Sequence, residues 1–292
     1  MLRWRLLLGT VLILVLVGLS WLDDHARLPG VWLLPVAVIA SVMATAELLQ
    51  LMTLGGARPV PWVVYCGNLL LVAANWIPWI CRGGQSVPLI NSASWPMLAL
   101  AGGSTLIFTA EMCRFRRPGG VLANVAAAMF ALVYVGVMLG WMIQLRMLWG
   151  IGALASLIIV VKMADTGAYA VGRLIGRHPM APVLSPRKTL EGAVGGLLTA
   201  GLVSWAVFAW LVPLMTVQQA YCGAWWRSML FGLVVGGAGM LGDLAESLLK
   251  RDVGSRDSSR WLPGFGGVLD LLDSLLLAAP VAWLCWALGL VG

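Results

Sequence analysis

Charge is what this 292-residue sequence has least of: Asp, Glu, Lys and Arg together make up 11%, under half of the roughly 25% usual in a soluble domain. Set against 61% hydrophobic residues, that scarcity excludes a water-soluble globule, which could not hide so much apolar surface. Disorder, a collagen-like chain and a disulfide scaffold fail on the same composition. Histidine is nearly missing, with two residues, and the five cysteines (Cys66, Cys81, Cys113, Cys222 and Cys285) show no CxxC or CxxxC spacing. An odd, scattered set argues against a disulfide framework or a zinc site and fits small apolar fillers. No basic stripe interleaved with aromatics is present, so nucleic acid is not an expected partner. A Walker A loop, a linker, a low-complexity tract and an internal repeat are lacking too.

What is there is apolar run after apolar run. Crossing hydrocarbon takes ~20 apolar residues, and nine segments qualify, near 6–22, 31–54, 60–80, 90–111, 120–144, 148–172, 191–215, 224–248 and 271–291. The first has no small-residue cleavage motif before Asp23-Asp24 and reads as a helix. The predicted fold is therefore an all-α polytopic membrane protein, with sixteen Trp suited to interfacial anchoring. With the N-terminus in the cytoplasm, only Arg27, Arg82, Arg146 and Arg227 fall outside. Lys162 lies within a helix, and every other Lys and Arg falls inside, as the positive-inside rule requires.

The acidic residues divide the chain. Residues 1–146 read as a scaffold of transmembrane helices and 147–292 as a catalytic region with motif loops, because eight of twelve Asp and Glu lie between Asp165 and Asp273. Ionisable groups at apolar helices are costly and mark functional sites. Asp243, Glu246, Ser247 and Lys250 stand at i, i+3, i+4 and i+7, one face of the eighth helix. Asp270, Asp273 and Ser274 share a face of the ninth. Carboxylates from two successive helices suit a hard, oxygen-loving cation such as Mg2+, with room for a second cation. Asp243, Asp270, Glu246 and Asp273 are the expected ligands.

Between these helices Lys250, Arg251, Arg256 and Arg260 flank a loop of Pro263, Gly264, Gly266 and Gly267, whose backbone amides can approach an anion closely. Basic charge beside Mg2+-type carboxylates describes a polyphosphate site. Upstream, Asp165, Tyr169, Gly172 and Gly176 fall at helical spacing. Ser185-Pro186-Arg187-Lys188-Thr189 reads as a helix N-terminus, with hydroxyls and cations poised for phosphate. His25 and His178 read as surface loop residues.

Ser247-x-x-Lys250-Arg251-x4-Arg256-Asp257, followed by Pro263-x-Phe265-Gly266-Gly267-x-x-Asp270-x-x-Asp273, resembles without gaps the signature of the phosphatidate cytidylyltransferase (CDP-diacylglycerol synthase) family. Asp165-Thr-Gly-Ala-Tyr169-x-x-Gly172 and Ser185-Pro-x-Lys188-Thr189-x-Glu191-Gly192 resemble two further family motifs. Together they cover about residues 160–275; the first half resembles the family only in its apolar helices. Three positions depart: Arg256 stands for a usual Lys, Phe265 for a His and Leu271 for an Arg.

The resemblance implies CTP + phosphatidate → CDP-diacylglycerol + pyrophosphate, in a bacterial-type inner membrane, with the site on the cytoplasmic side. It implies Lys188, Lys250, Arg251, Arg256 and Asp257 as the catalytic set. Asp165, Ser185, Lys188, Thr189, Glu191, Gly266 and Gly267 are the expected contacts to CTP, and Mg2+ the cofactor. CTP, phosphatidate and the bilayer are the expected partners, and a homodimer is kept as an expectation. Glu47, alone in the second apolar run, reads as a structural carboxylate hydrogen-bonded into the bundle, or as part of a lipid path. Two other readings are a CTP-dependent kinase of a membrane alcohol of the phytol or dolichol type and an anion transporter, which would need polar residues along a complete path where the first five helices have few.

Overall fold

The computed structural model describes residues 2–81, 89–215, 224–255, 258, 259, 261 and 266–291. They form the predicted all-α, polytopic membrane architecture. In hydrocarbon a backbone must satisfy its N–H and C=O groups within the segment, so each apolar run coils. Helix α1 spans Leu2–Asp24, α2 Leu34–Leu54, α3 Pro61–Ala74, α4 Ile77–Cys81 and α5 Leu89–Arg114. Next come α6 (Val121–Ala131), a π-helical segment (Leu132–Val137) and α7 (Met138–Trp149), which run on as one rod. Helix α8 (Ile151–Ile175) leads into a hairpin of β1 (Pro179–Ala181) and β2 (Ser185–Thr189). Then follow α9 (Leu190–Ala206), a second π-helical segment (Val207–Leu211), α10 (Val212–Met215), α11 (Trp225–Asp252) and α12 (Leu269–Ala287).

Among the described residues, seven stretches are long and apolar enough to cross a membrane: α2, Ser94–Arg114 of α5, the α6–α7 rod, α8, the α9–α10 rod, α11 and α12. Helix α1 lies where the first predicted span falls, and α3 with α4 where the third does. At 14 residues, α3 is only ~21 Å long, against ~30 Å of hydrocarbon. Pro213, in α10, is the second residue after the second π segment. A proline removes a backbone donor and crowds the preceding turn, and the widened turn absorbs both effects.

The chain divides into two compact units, Met1–Leu148 with Asp252–Leu271, and Trp149–Arg251 with Leu272–Gly292. In the first, Asp23 at the end of α1 is fully buried and pairs with Arg146 of α7, Nε to Oδ2 at 2.7 Å. Its carboxylate also accepts the amides of Gly30 and Trp32 at 2.9 and 2.8 Å. One of the four basic residues counted outside is thus spoken for by a buried acid. Gly136 lets the α6–α7 rod close on α3, where a Cβ would collide with Asn68 and Leu71.

In the second unit, glycines set the helix spacing. A Cβ at Gly192 would meet the Ala168 carbonyl and Gly172, one at Gly195 would strike Val171, and one at Gly196 the Ala164 carbonyl, so α9 lies against α8 backbone to backbone. Gly232 and Gly236 do the same for α11 against α9, and Gly242 brings α11 onto the backbone of Asp273 and Ser274 in α12. Trp149, Trp283, Trp286, Phe208 and Phe231 fill the unit with ring contacts.

The hairpin corrects one expectation. Ser185–Thr189 is not a helix N-terminus but strand β2, paired with β1 through Ala181↔Ser185 and Pro179↔Thr189. The helix starts later, at Leu190, with Thr189 as its cap: Oγ1 accepts the Gly192 amide at 3.1 Å. Ser-Pro imitates a capped helix start, but the backbone bonds made across the hairpin hold Pro186 extended.

Candidate active site

The second unit gathers most of the expected residues. Helix α8 supplies Lys162 and Asp165 at i, i+3, β2 supplies Lys188, α11 Asp243, and the first turns of α12 Asp273 and Ser274. Lys188 Nζ lies 2.6 Å from Asp243 Oδ2, with 26% and 34% of the two side chains exposed. Lys162 Nζ reaches Ser274 Oγ at 3.0 Å and Asp165 Oδ2 at 3.7 Å. Ser274 Oγ lies 3.3 Å from Asp165 Oδ2 and 3.0 Å from Asp273 Oδ1. With one proton it can donate to only one of them at a time. Asp165 and Asp273 both feel Asp243 as a like charge and Lys162 as an opposite one.

Among the described residues, this cluster sets three carboxylates against two ammonium groups. The excess is negative, half-shielded from water, and suited to a cation.

Glu246, buried, and Lys250, part-buried, form a separate pair on α11, at i, i+4 and 2.6 Å apart, each neutralising the other. Arg251 Nε donates to the Leu184 carbonyl at 3.3 Å, tying the end of α11 to the hairpin turn. Glu191, in the first turn of α9, holds the other end of the hairpin. It accepts the amides of Arg177 and His178 at 3.1 and 3.2 Å and pairs with His178 Nδ1. His178, read from sequence as a loop residue, has this partner.

The first unit holds a different arrangement. Glu47 on α2 is 1% exposed. Its Oε1 accepts Ser259 Oγ–H at 2.7 Å and the Val268 amide at 2.9 Å; its Oε2 accepts Ser258 Oγ–H at 2.9 Å and the Leu269 amide at 2.8 Å. Asp270 Oδ2 accepts the Gly267 amide at 2.7 Å and the Ser258 amide at 3.2 Å, and lies 2.7 Å from Ser258 Oγ. The two glycines follow from this crowding. Gly266 has φ +89°, and a Cβ on it would strike Asp270 Oδ2; one on Gly267 would strike Ser258 Oγ and Glu47 Oε2. The Gly267 amide, expected to face a phosphate, is directed at Asp270.

Of the expected residues, Asp165, Lys188, Asp243 and Asp273 meet in one cluster, Glu246 and Lys250 pair beside one another, and Gly266, Gly267 and Asp270 belong to the first unit's network. Ser185 and Thr189 sit on the hairpin. Arg256, Asp257, Arg260, Pro263 and Phe265 lie outside the described residues. Spacing did not reveal Lys162, Ser258 and Ser259. Lys162 could have been found as a lone ammonium inside an apolar helix, which is a functional signal by itself.

The described part of the site is a lysine-carboxylate cluster of net negative charge in a helical membrane protein. Residues 3–288 match the model of the cytidylyltransferase family. A phosphatidate cytidylyltransferase of Mycobacterium bovis is 32% identical over 300 residues, covering 95% of this chain and 84% of its own length. One from Mycobacterium tuberculosis is equally similar, over 78% of its length. One from Staphylococcus saprophyticus is 37% identical over 159 residues, 54% of this chain and 57% of its own. The chain belongs to the cytidylyltransferase family.

Proposed function

We propose that the chain is a phosphatidate cytidylyltransferase, joining the CMP part of CTP to the phosphate of phosphatidate and releasing pyrophosphate. The observation that carries this is the Lys188–Asp243 pair, set among Asp165, Asp273 and Lys162 in a chain matched to the family from residue 3 to 288. Both substrates are anions, so the protein must neutralise repulsion before the lipid phosphate can attack the α-phosphorus. Lys188, partly exposed and lying on Asp243, is at hand for a nucleotide phosphate. Arg251 adds positive charge at the end of α11, with Lys250, now paired with Glu246, and Arg256 the further clamps expected from the family signature. The nucleophile is already an oxyanion, so Asp257 and its neighbours need not act as a strong base.

Mg2+ suits the donors at this site. They are hard carboxylate oxygens, and among the described residues no three His, Cys, Asp or Glu side chains form an all-protein cage. Mg2+ binds through one or two carboxylates plus substrate phosphates and its own waters. Asp243 would hold it, with Asp165 and Asp273 contributing negative charge; Asp270 and Glu246 stand as further expected ligands. When bound it would supply charge stabilisation on the phosphates. We further propose nine spans with a cytoplasmic N-terminus and the site at the cytoplasmic face of a bacterial-type inner membrane, supported by the distribution of Lys and Arg. The expected homodimer is checked by crosslinking in native membranes.

The test uses purified full-length chain and CTP labelled at the α- or γ-phosphate, with and without phosphatidate and Mg2+. The α label should enter a lipid only when both are present, and the γ label should leave as pyrophosphate. A γ label in lipid would mark a kinase of a membrane alcohol and overturn the reading.

A further inference from the structure

Glu47 spends a buried carboxylate in an apolar helix on four neutral donors: two serine hydroxyls and the two amides at the start of α12. The first amides of a helix have no partner within it, and a short Ser, Thr, Asp or Asn beside them usually supplies one. Here the acceptor comes from α2, 222 residues away in sequence from Leu269, and its negative charge also suits the positive end of the helix. The same carboxylate holds Ser258 and Ser259. Through Ser258, whose Oγ lies 2.9 Å from Glu47 and 2.7 Å from Asp270 and whose amide points to Asp270, it reaches the first acid of α12. One hydroxyl proton cannot serve both acids, so the amides must carry most of Asp270's support.

We propose that Glu47 is a positioning residue for the transfer reaction, holding the Ser258-Ser259 and Val268-Leu269 segments so that Asp270 keeps one orientation. This rests on the cytidylyltransferase reading. Because it acts through Asp270, the effect falls on turnover more than on nucleotide capture, for which Lys188 stands in the second unit.

The test compares full-length wild type, Glu47→Gln, and the double variant Ser258→Ala/Ser259→Ala, each purified in detergent and assayed with CTP and phosphatidate per mole of folded enzyme. Glutamine turns one of the two acceptor oxygens into a donor, so two of the four bonds face a donor. Glu47→Gln should lower kcat by ~10-fold or more while KM for CTP stays within ~3-fold. Backbone hydrogen exchange should accelerate at Val268 and Leu269 and stay unchanged at Ala278 and Ala279, farther along α12. The serine variant keeps the carboxylate, and should show the same split at ~3-fold in kcat if Glu47→Gln does not fold. A kcat per folded enzyme that matches wild type in whichever variants fold overturns the proposal, as does a loss confined to KM. Absence of wild-type turnover overturns the cytidylyltransferase reading and this inference with it, whereas wild-type turnover with unaffected variants overturns this inference alone.

Discussion

Among the described residues, the acids Glu47 and Asp23 of the first unit and Asp165, Asp243 and Asp273 of the second are furnished in opposite ways. In the first unit, Glu47 and Asp23 are almost wholly buried, and each is met by several directed donors. In the second, Asp243 is a third exposed and is met by a lysine that is itself partly exposed, while Asp165 and Asp273 compete for one serine hydroxyl. A burial cost already offset by fixed donors leaves nothing for a ligand to improve. A cluster with surplus negative charge and partly exposed cations has room for further charge compensation. Residue type does not separate the two groups; the number and direction of their donors do.

Four substitutions put that contrast under strain. The greatest effect is expected at Asp243→Asn, which should cut turnover by ~1000-fold, about 4 kcal/mol in the barrier, with little change in thermal unfolding. Near-normal turnover at low Mg2+ would remove Asp243 from the site. Arg146→Ala is the converse: it strands Asp23 in the interior and should cost about 3 kcal/mol of stability, read by thermal unfolding, while turnover per folded molecule is kept. Gly267→Ala drives a methyl into Ser258 and Glu47, and should destabilise by about 2 kcal/mol with a measurable loss of turnover as well. The smallest effect is expected at Lys188→Gln, about tenfold in kcat/KM for CTP, or ~1.4 kcal/mol. Unchanged kinetics there would put the nucleotide phosphates elsewhere.

Much of this was legible in the sequence, for reasons that particular residues make plain. Apolar runs have few ways to fold in lipid, so the helices follow from composition. Asp243 and Glu246, or Asp270 and Asp273, share a helix face at a spacing of three that periodicity reads directly, but it does not reveal that the members of each pair have different partners. The hairpin was not legible: β1 has three residues and β2 five, too short to show an alternation, and Ser185-Pro186 carries a helix-start signal that the strand pairing overrides. The bond between Glu47 and Ser258 joins positions 211 apart, and no local pattern encodes it. Lys162 was visible as an oddity, but its tie to Ser274 spans 112 positions and needed the fold.

The reach of Glu47 also orders events in time. Ribosomes add ~5–20 residues per second, so α2 must sit in or near the bilayer for ~10–40 s before Ser258 and Leu269 exist to receive its carboxylate. Through that interval Glu47 lacks the donors that offset the cost of a carboxylate in an apolar helix. Only a chain synthesised past Leu269 supplies those donors. A truncation ending before Ser258 should be degraded faster than full-length protein in a pulse-chase, and Glu47→Leu in the same truncation should slow that loss.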